Sequence, residues 1–240
     1  MKLPIIFPLL YGLLIYLFPH HEMYIIFLFI LLLAEPHFAA TWPFFLDKVN
    51  KDFIIKNKII FIIIPIFIIV ASLIGYFFIT SLFLLIFFAA NMYHVTRQSF
   101  GISNLYLKKF DEKKYQEYSI YFFNLLFFLL GIARFYLNLE VVDKFIYEIL
   151  YCVLILLCIN FTVYLIKYEL KNISTLISGT IIFFPVCFVQ NPIHVIIMGV
   201  TMHYSQYLFL THKIFLKRNN YASKLSKKYI FYFLIIFLYT

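Results

Sequence analysis

The chain has 240 residues, 64% of them apolar and 13% charged, with a mean hydropathy of +0.94 and a formal charge of +9. An average globular domain is roughly 45–50% apolar and about 25% charged, and no soluble core of this size hides so much hydrocarbon. That excludes a soluble domain, a disordered chain and a disulfide scaffold, and the placement of the positive charge reads as membrane topology, not as a nucleic-acid footprint.

Lys2 precedes an apolar run, 3–18, which ends in Pro19-His20-His21-Glu22 without a small-x-small cleavage site. This predicts a retained first span in place of a signal peptide. A bilayer core of about 30 Å takes roughly 20 apolar residues per helix. With breaks at charge clusters and at Pro or Asn-Pro, further spans are predicted at 23–46, 59–79, 80–107, 120–139, 146–166, 173–190, 191–215 and 226–240. The last runs to Thr240, as in a truncated copy of something longer. No repeat, linker or low-complexity stretch marks a second domain. The expected fold class is therefore all-α, one polytopic transmembrane helical bundle of eight or nine spans over 1–240. Cys152, Cys158 and Cys187 lie in apolar runs without a C-x-x-C pair and read as small buried hydrophobes.

Lysine and arginine set the orientation. The N-terminus and the loops after even-numbered spans hold Lys2, then Lys48, Lys51, Lys56 and Lys58, then Lys108, Lys109, Lys113 and Lys114. They also hold Lys167, Lys171, Lys213, Lys217, Arg218, Lys224, Lys227 and Lys228. The opposite side holds Lys144 alone, and Arg97 and Arg134 fall inside spans. Seventeen against one predicts a cytoplasmic N-terminus in the plasma (inner) membrane, its positive side toward the anionic inner leaflet.

Ionisable groups inside hydrocarbon are costly and mark function by default. The second span carries Glu35-Pro36-His37, the fourth Asn91, His94, Arg97 and Gln98, the sixth Asn160, and the eighth His203, Gln206 and Tyr207. All four run from outside to inside in this topology. His37 and His94 lie 14 residues into their spans, Asn160 also 14, and His203 12. At 1.5 Å per residue the depth is ~18–21 Å in each case. Asn91, His94 and Gln98 share one helical face with Arg97 adjacent, and His203, Gln206 and Tyr207 share another. His194 and His212 fall on the face opposite His203, at the membrane surfaces, and His20 and His21 lie in an outer loop, so these four read as interfacial. A single buried histidine is explained by hydrogen bonding between spans. Three at one depth, with Glu35 and two glutamines, point to metal or haem ligation, because neutral imidazole is the commonest metal ligand. Pro36 and Pro43 are expected to kink the second span and free carbonyls beside His37. Glu35 and Arg97 are expected to pair, and Arg134, in the outer part of its span, to snorkel.

At these residues the chain resembles the bacteriorhodopsin-related protein / Blh family of membrane β-carotene dioxygenases. That family carries Pro-His-Gly-x-x-Asp in an early span, His-Phe-Gly in a later one and His-x-x-x-His near the C-terminus. Here these positions read Pro36-His37-Phe38-Ala39-Ala40-Thr41, His94-Val95-Thr96 and His203-Tyr204-Ser205-Gln206-Tyr207. Thr41 stands at the Asp position and Tyr207 at the fourth histidine. The resemblance implies His37, His94 and His203 as ligands of a non-haem iron and a carotenoid- or isoprenoid-like substrate.

The leading expectation is accordingly an iron-dependent membrane oxygenase, with Glu35, Gln98, Gln206 and Tyr207 as the further catalytic candidates. Its partners would be a lipid-soluble small molecule and the membrane, with no nucleic acid. The alternatives are a haem- or quinone-linked electron carrier using two of the histidines, a transporter relaying through His37, His94, Glu35 and Arg97, and an enzyme without metal in which His94 is a general base.

Overall fold

The computed structural model describes residues 3–40 and 48–218. The expected span at 226–240 and the residues Thr41 and Pro43 lie outside them. Among the described residues every regular element is helical. In chain order these are α1 (Ile6–Leu17), α2 (Pro19–Ala39), α3 (Lys48–Lys56), α4 (Ile59–Phe78), α5 (Thr80–Asn104), α6 (Phe110–Tyr136), α7 (Glu140–Lys144), α8 (Ile146–Lys167), α9 (Ile173–Thr180) and α10 (Pro192–Arg218).

Five helices, α2, α4, α6, α8 and α10 through Ile214, are long and apolar enough to cross a membrane. Helix α5 has the length, with 25 residues, but Asn91, His94, Arg97 and Gln98 dilute its apolar character and it is not among the five. Helix α1 has 12 residues, about 18 Å, well short of a bilayer core.

Interior Pro36 lacks an N–H and its ring clashes with the carbonyl four residues back. Helix α2 takes it by widening into a π-helical turn at Ile30–Ala34, just before Glu35. The carbonyl of Pro36 itself accepts from the Ala40 N–H at 2.9 Å.

Helix α6 begins ten residues earlier than the apolar run suggests, so 110–119 is helix and not loop. Asp111 and Glu112 occupy its first turn, where the helix dipole favours acids. Its buried positions, Glu112, Gln116, Ser119, Ile120, Phe123, Asn124 and Phe127, recur at helical spacing and form one stripe. The first half of the stripe is polar. Glu112 Oε1 accepts from Tyr164 Oη at 2.6 Å and from Asn172 Nδ2 at 3.0 Å. Gln116 Nε2 donates to Tyr164 Oη at 3.1 Å and to the Asn172 carbonyl at 3.2 Å, and its Oε1 accepts from Ser103 and Thr175. The second half is apolar and packs Phe123 and Phe127 with Val153, Leu157, Val186, Cys187 and Val195. Cys187 is buried as expected, whereas Cys152 and Cys158 face outward from α8.

The expected span at 173–190 is not one helix. Helix α9 stops after eight residues, and a 3-10 turn at Phe184–Cys187 follows. The cause is local. Thr175, Ser178 and Thr180 turn their hydroxyls onto backbone carbonyls three or four residues back, and Pro185 cannot continue a helix. The segment still runs the length of α6: Asn172 meets Glu112 and Gln116, Gly179 meets Ile120 and Asn124, and Val186 meets Gly131. From Glu112 to Gly131 an α-helix rises about 28 Å. An unbroken helix over 172–186 would rise only about 21 Å, so the shorter strip of chain reaches the same length by being drawn out.

Breaking a helix frees carbonyls, and at membrane depth these must be answered by protein. Asn124 Nδ2 donates to the Gly179 carbonyl at 2.9 Å. Arg134 does the rest. Its side chain does not snorkel: it is 3% exposed, with Nε on Asp143 Oδ1 at 2.7 Å and Nη1 shared between the carbonyls of Val186 and of Val189, the latter at 3.0 Å. Two freed carbonyls and the Asp143 carboxylate hold it inward more strongly than an aqueous surface draws it out.

Where α9 crosses α6 there is no room for a side chain. A Cβ built on Gly179 would meet Ile120 Cδ1 at 2.6 Å and Cγ1 at 2.8 Å, and Ile120 is fully buried. Gly179→Ala is expected to destabilise by about 1–3 kcal/mol, read as a lower melting temperature in detergent. Adding Ile120→Val, which removes the closest atom, should recover part of the loss. Equal melting of Gly179→Ala and wild type would refute the close crossing.

By its contacts the chain divides into two units. One holds the residues up to 34 and 92–207; its core is the α6 stripe with α8, α9 and the 184–187 turn. The other holds 35–91 and the residues from 208 on, with α3 and α4 among its helices, and α4 buries Gly75 alone.

Candidate metal centre

Helices α2, α5 and α10 carry one central histidine each. His37 follows the π-helical turn of α2, is 7% exposed and has the Phe38 ring edge-on at 5.4 Å. His203 is 1% exposed in the middle of α10, between buried Met202 and the half-buried Tyr204, whose ring lies 5.7 Å away. His94, on the outer side of α5, meets the His203 ring edge to face, centroids 5.7 Å apart and planes at 83°. The His94 and His203 rings thus meet within one unit, and His37 belongs to the other.

The glutamines stand one turn further along the same helices, Gln98 at i+4 from His94 and Gln206 at i+3 from His203. Gln206 is 4% exposed. Both carboxamide oxygens, Gln98 Oε1 and Gln206 Oε1, are buried without a hydrogen-bond partner. A buried acceptor left open costs about 1–3 kcal/mol, so each marks a place for a donor, such as water or a substrate hydroxyl. Tyr207 is half-buried on α10, and Glu35 is half-buried on α2, two residues before His37.

The other polar residues expected at this depth are used elsewhere. Asn91 is exposed and donates to the Phe87 carbonyl of its own helix at 3.0 Å. Asn160 Oδ1 accepts from Tyr115 at 2.9 Å and from Ser119 at 2.8 Å, fastening α8 to α6. Arg97 is exposed and Nη1 donates to Tyr93 Oη, at i−4 on its own helix, at 3.1 Å.

His194 reads as interfacial and has a structural task. Its Nδ1 lies 2.7 Å from the hydroxyl of fully buried Tyr11 and its Nε2 3.5 Å from Glu22, tying α1 and α2 to α10. Tyr11, Glu112, Gln116 and Tyr164 carry no signal in the sequence beyond an acid and a glutamine four residues apart in the lysine-rich stretch before 120.

Compared with family models, curated proteins and solved structures, the chain matches none.

Proposed function

We propose that His37, His94 and His203 hold one non-haem iron and that the protein is a membrane oxygenase acting on a lipid-soluble substrate. The observation that carries this reading is the edge-to-face meeting of the His94 and His203 rings, centroids 5.7 Å apart, and the depth of His37 in the sequence adds the third imidazole. The donor chemistry fits, since three neutral imidazoles with further positions open suit a divalent iron that takes dioxygen and substrate.

The chain's own groups supply the surroundings. Gln98 and Gln206 offer acceptor oxygens for a proton donor at the centre, and a substrate that must carry no charge through hydrocarbon fits the apolar helix faces. Glu35 is the carboxylate closest in sequence to a ligand and is available to take up a proton. A carotenoid- or isoprenoid-like chain as substrate, and membership of the Blh family, rest on the motif resemblance. The broken segment at 173–190 does not favour transport, because the carbonyls that could bind a coupling ion are taken by Arg134 and Asn124.

The test is elemental analysis and absorption of detergent-purified protein. Near one iron per chain without a Soret band is the expected result. A Soret band selects the haem reading, and protein free of any metal selects transport.

The reading includes a cytoplasmic N-terminus in the inner membrane. In a cysteine-free background, single cysteines at 47–58, at the exposed positions 108–111 and at 216–225 should react with a membrane-impermeant maleimide only after the cells are opened. Labelling of these positions in intact cells would invert the topology.

A further inference from the structure

Beside the histidine of α5, on the outer surface, α5 and α6 enclose a groove of about 470 Å³. Tyr93 and Thr96 form one wall and Tyr118, Tyr121, Phe122 and Leu125 the other. The Tyr93 and Tyr121 rings, centroids 6.4 Å apart, close its floor. The lining is almost wholly apolar, yet a cation attends it: Arg97 donates from Nη1 to the hydroxyl of Tyr93 at 3.1 Å and is otherwise exposed. Glu117, the acid one turn before Tyr121 on α6, forms no ion pair with it among those of the described residues. Arg97 thus keeps four N–H donors and a full charge for an outside partner.

Depth fixes the direction. Arg97 lies seven residues before Asn104, about 10 Å from that end of α5, and Lys108 and Lys109 follow. Leu125 lies fifteen residues into α6, about 22 Å from its start on the same side. The groove therefore leads from a cation near the lysine-rich surface toward the middle of the membrane, the orientation of a lipid with its head outward and its tail inward. A guanidinium fork matches phosphate oxygens in bidentate geometry.

We infer that this groove binds one anionic phospholipid, an acyl chain lying along Tyr118, Phe122 and Leu125 and the phosphate on Arg97. The site stands whether or not the histidines hold a metal.

Native mass spectrometry of the full chain, titrated with phosphatidylglycerol and phosphatidylcholine of identical acyl chains, tests it. The wild type should retain phosphatidylglycerol about tenfold better, because both lipids offer the phosphate but only phosphatidylcholine cancels its charge with a choline cation, a difference on the scale of one charge-assisted contact. Arg97→Gln should bring the two lipids level, and Arg97→Lys should keep part of the preference, since the charge remains and the bidentate fork is lost. Leu125→Trp, which fills the groove, should lower retention of both. Inorganic phosphate at millimolar concentration should not compete, since it lacks the chain. Equal retention of both lipids by the wild type, a preference that survives Arg97→Gln, or full competition by inorganic phosphate would each overturn the assignment.

Discussion

Replacing His203 with alanine is expected to strip the purified protein of iron. His203 is the most deeply enclosed of the three histidines, and its ring meets that of His94 directly. Without it two imidazoles remain, on helices whose register the loss does not change, and two neutral donors do not retain iron through purification. The neighbouring substitutions grade the effect. Gln206→Ala removes a carboxamide one turn away and should weaken binding by about 10–100-fold, the usual scale for a group that orients a ligand or a bound water. Tyr207→His, at i+4 on the same face, adds an imidazole and should raise occupancy. Iron per chain against chelator concentration measures all three, with far-ultraviolet circular dichroism as the check that the helices persist. Full iron in His203→Ala ends the oxygenase reading.

The largest effect on stability is expected at Arg134. Arg134→Met keeps much of the apolar stem but leaves the carbonyls of Val186 and Val189 in a buried place without donors. Each such acceptor costs about 1–3 kcal/mol. The Asp143 side chain is half exposed, so water recovers most of its loss and the ion pair itself contributes under about 1 kcal/mol. The sum is about 2–7 kcal/mol, a range that brackets the about 3–5 kcal/mol found when one partner is removed from a buried charged pair. Arg134→Lys should restore less than half of it, because an ammonium cannot reach Asp143 and both carbonyls from one stem. Asp143→Asn should be mild. Thermal melting in detergent ranks the variants, and a wild-type melting point for Arg134→Met would show that the turn at 184–189 does not depend on it.

The contrast between these two residues shows what a sequence of this kind discloses. A membrane helix has fixed rise and fixed period, so counting from a span's start gives depth and counting by threes and fours gives a shared face. That arithmetic is enough to single out His37, His94 and His203, of which His94 and His203 meet ring to ring, and to place His194 on another face of α10. It is blind to rotation about the helix axis relative to neighbours. Asn91 and Asn160 have the right depth and face elsewhere. Hydropathy also cannot tell a continuous span from a drawn-out one, since 173–190 is apolar either way; only its clustered Ser, Thr and Gly and the central Pro185 carried the break. Arg134 is expected to snorkel because hydropathy does not show the carbonyls waiting for it, and Glu112 falls outside the predicted spans because a pattern of spans ends where charges appear, whereas a helix ends where its hydrogen bonds do.

The drawn-out segment also bears on how the protein is made. An α-helix leaves the insertion machinery as a finished object, its backbone already closed to lipid. Residues 173–190 are not such an object, because among the described residues the carbonyls of Gly179, Val186 and Val189 accept from Asn124 and Arg134. They cannot partition into the bilayer alone. Both donors lie on α6, which is synthesised first, so the ribosome delivers the receptor before the segment that needs it. The emerging chain is laid down against a waiting template, and assembly here is a docking event within one polypeptide, not the association of independently inserted helices.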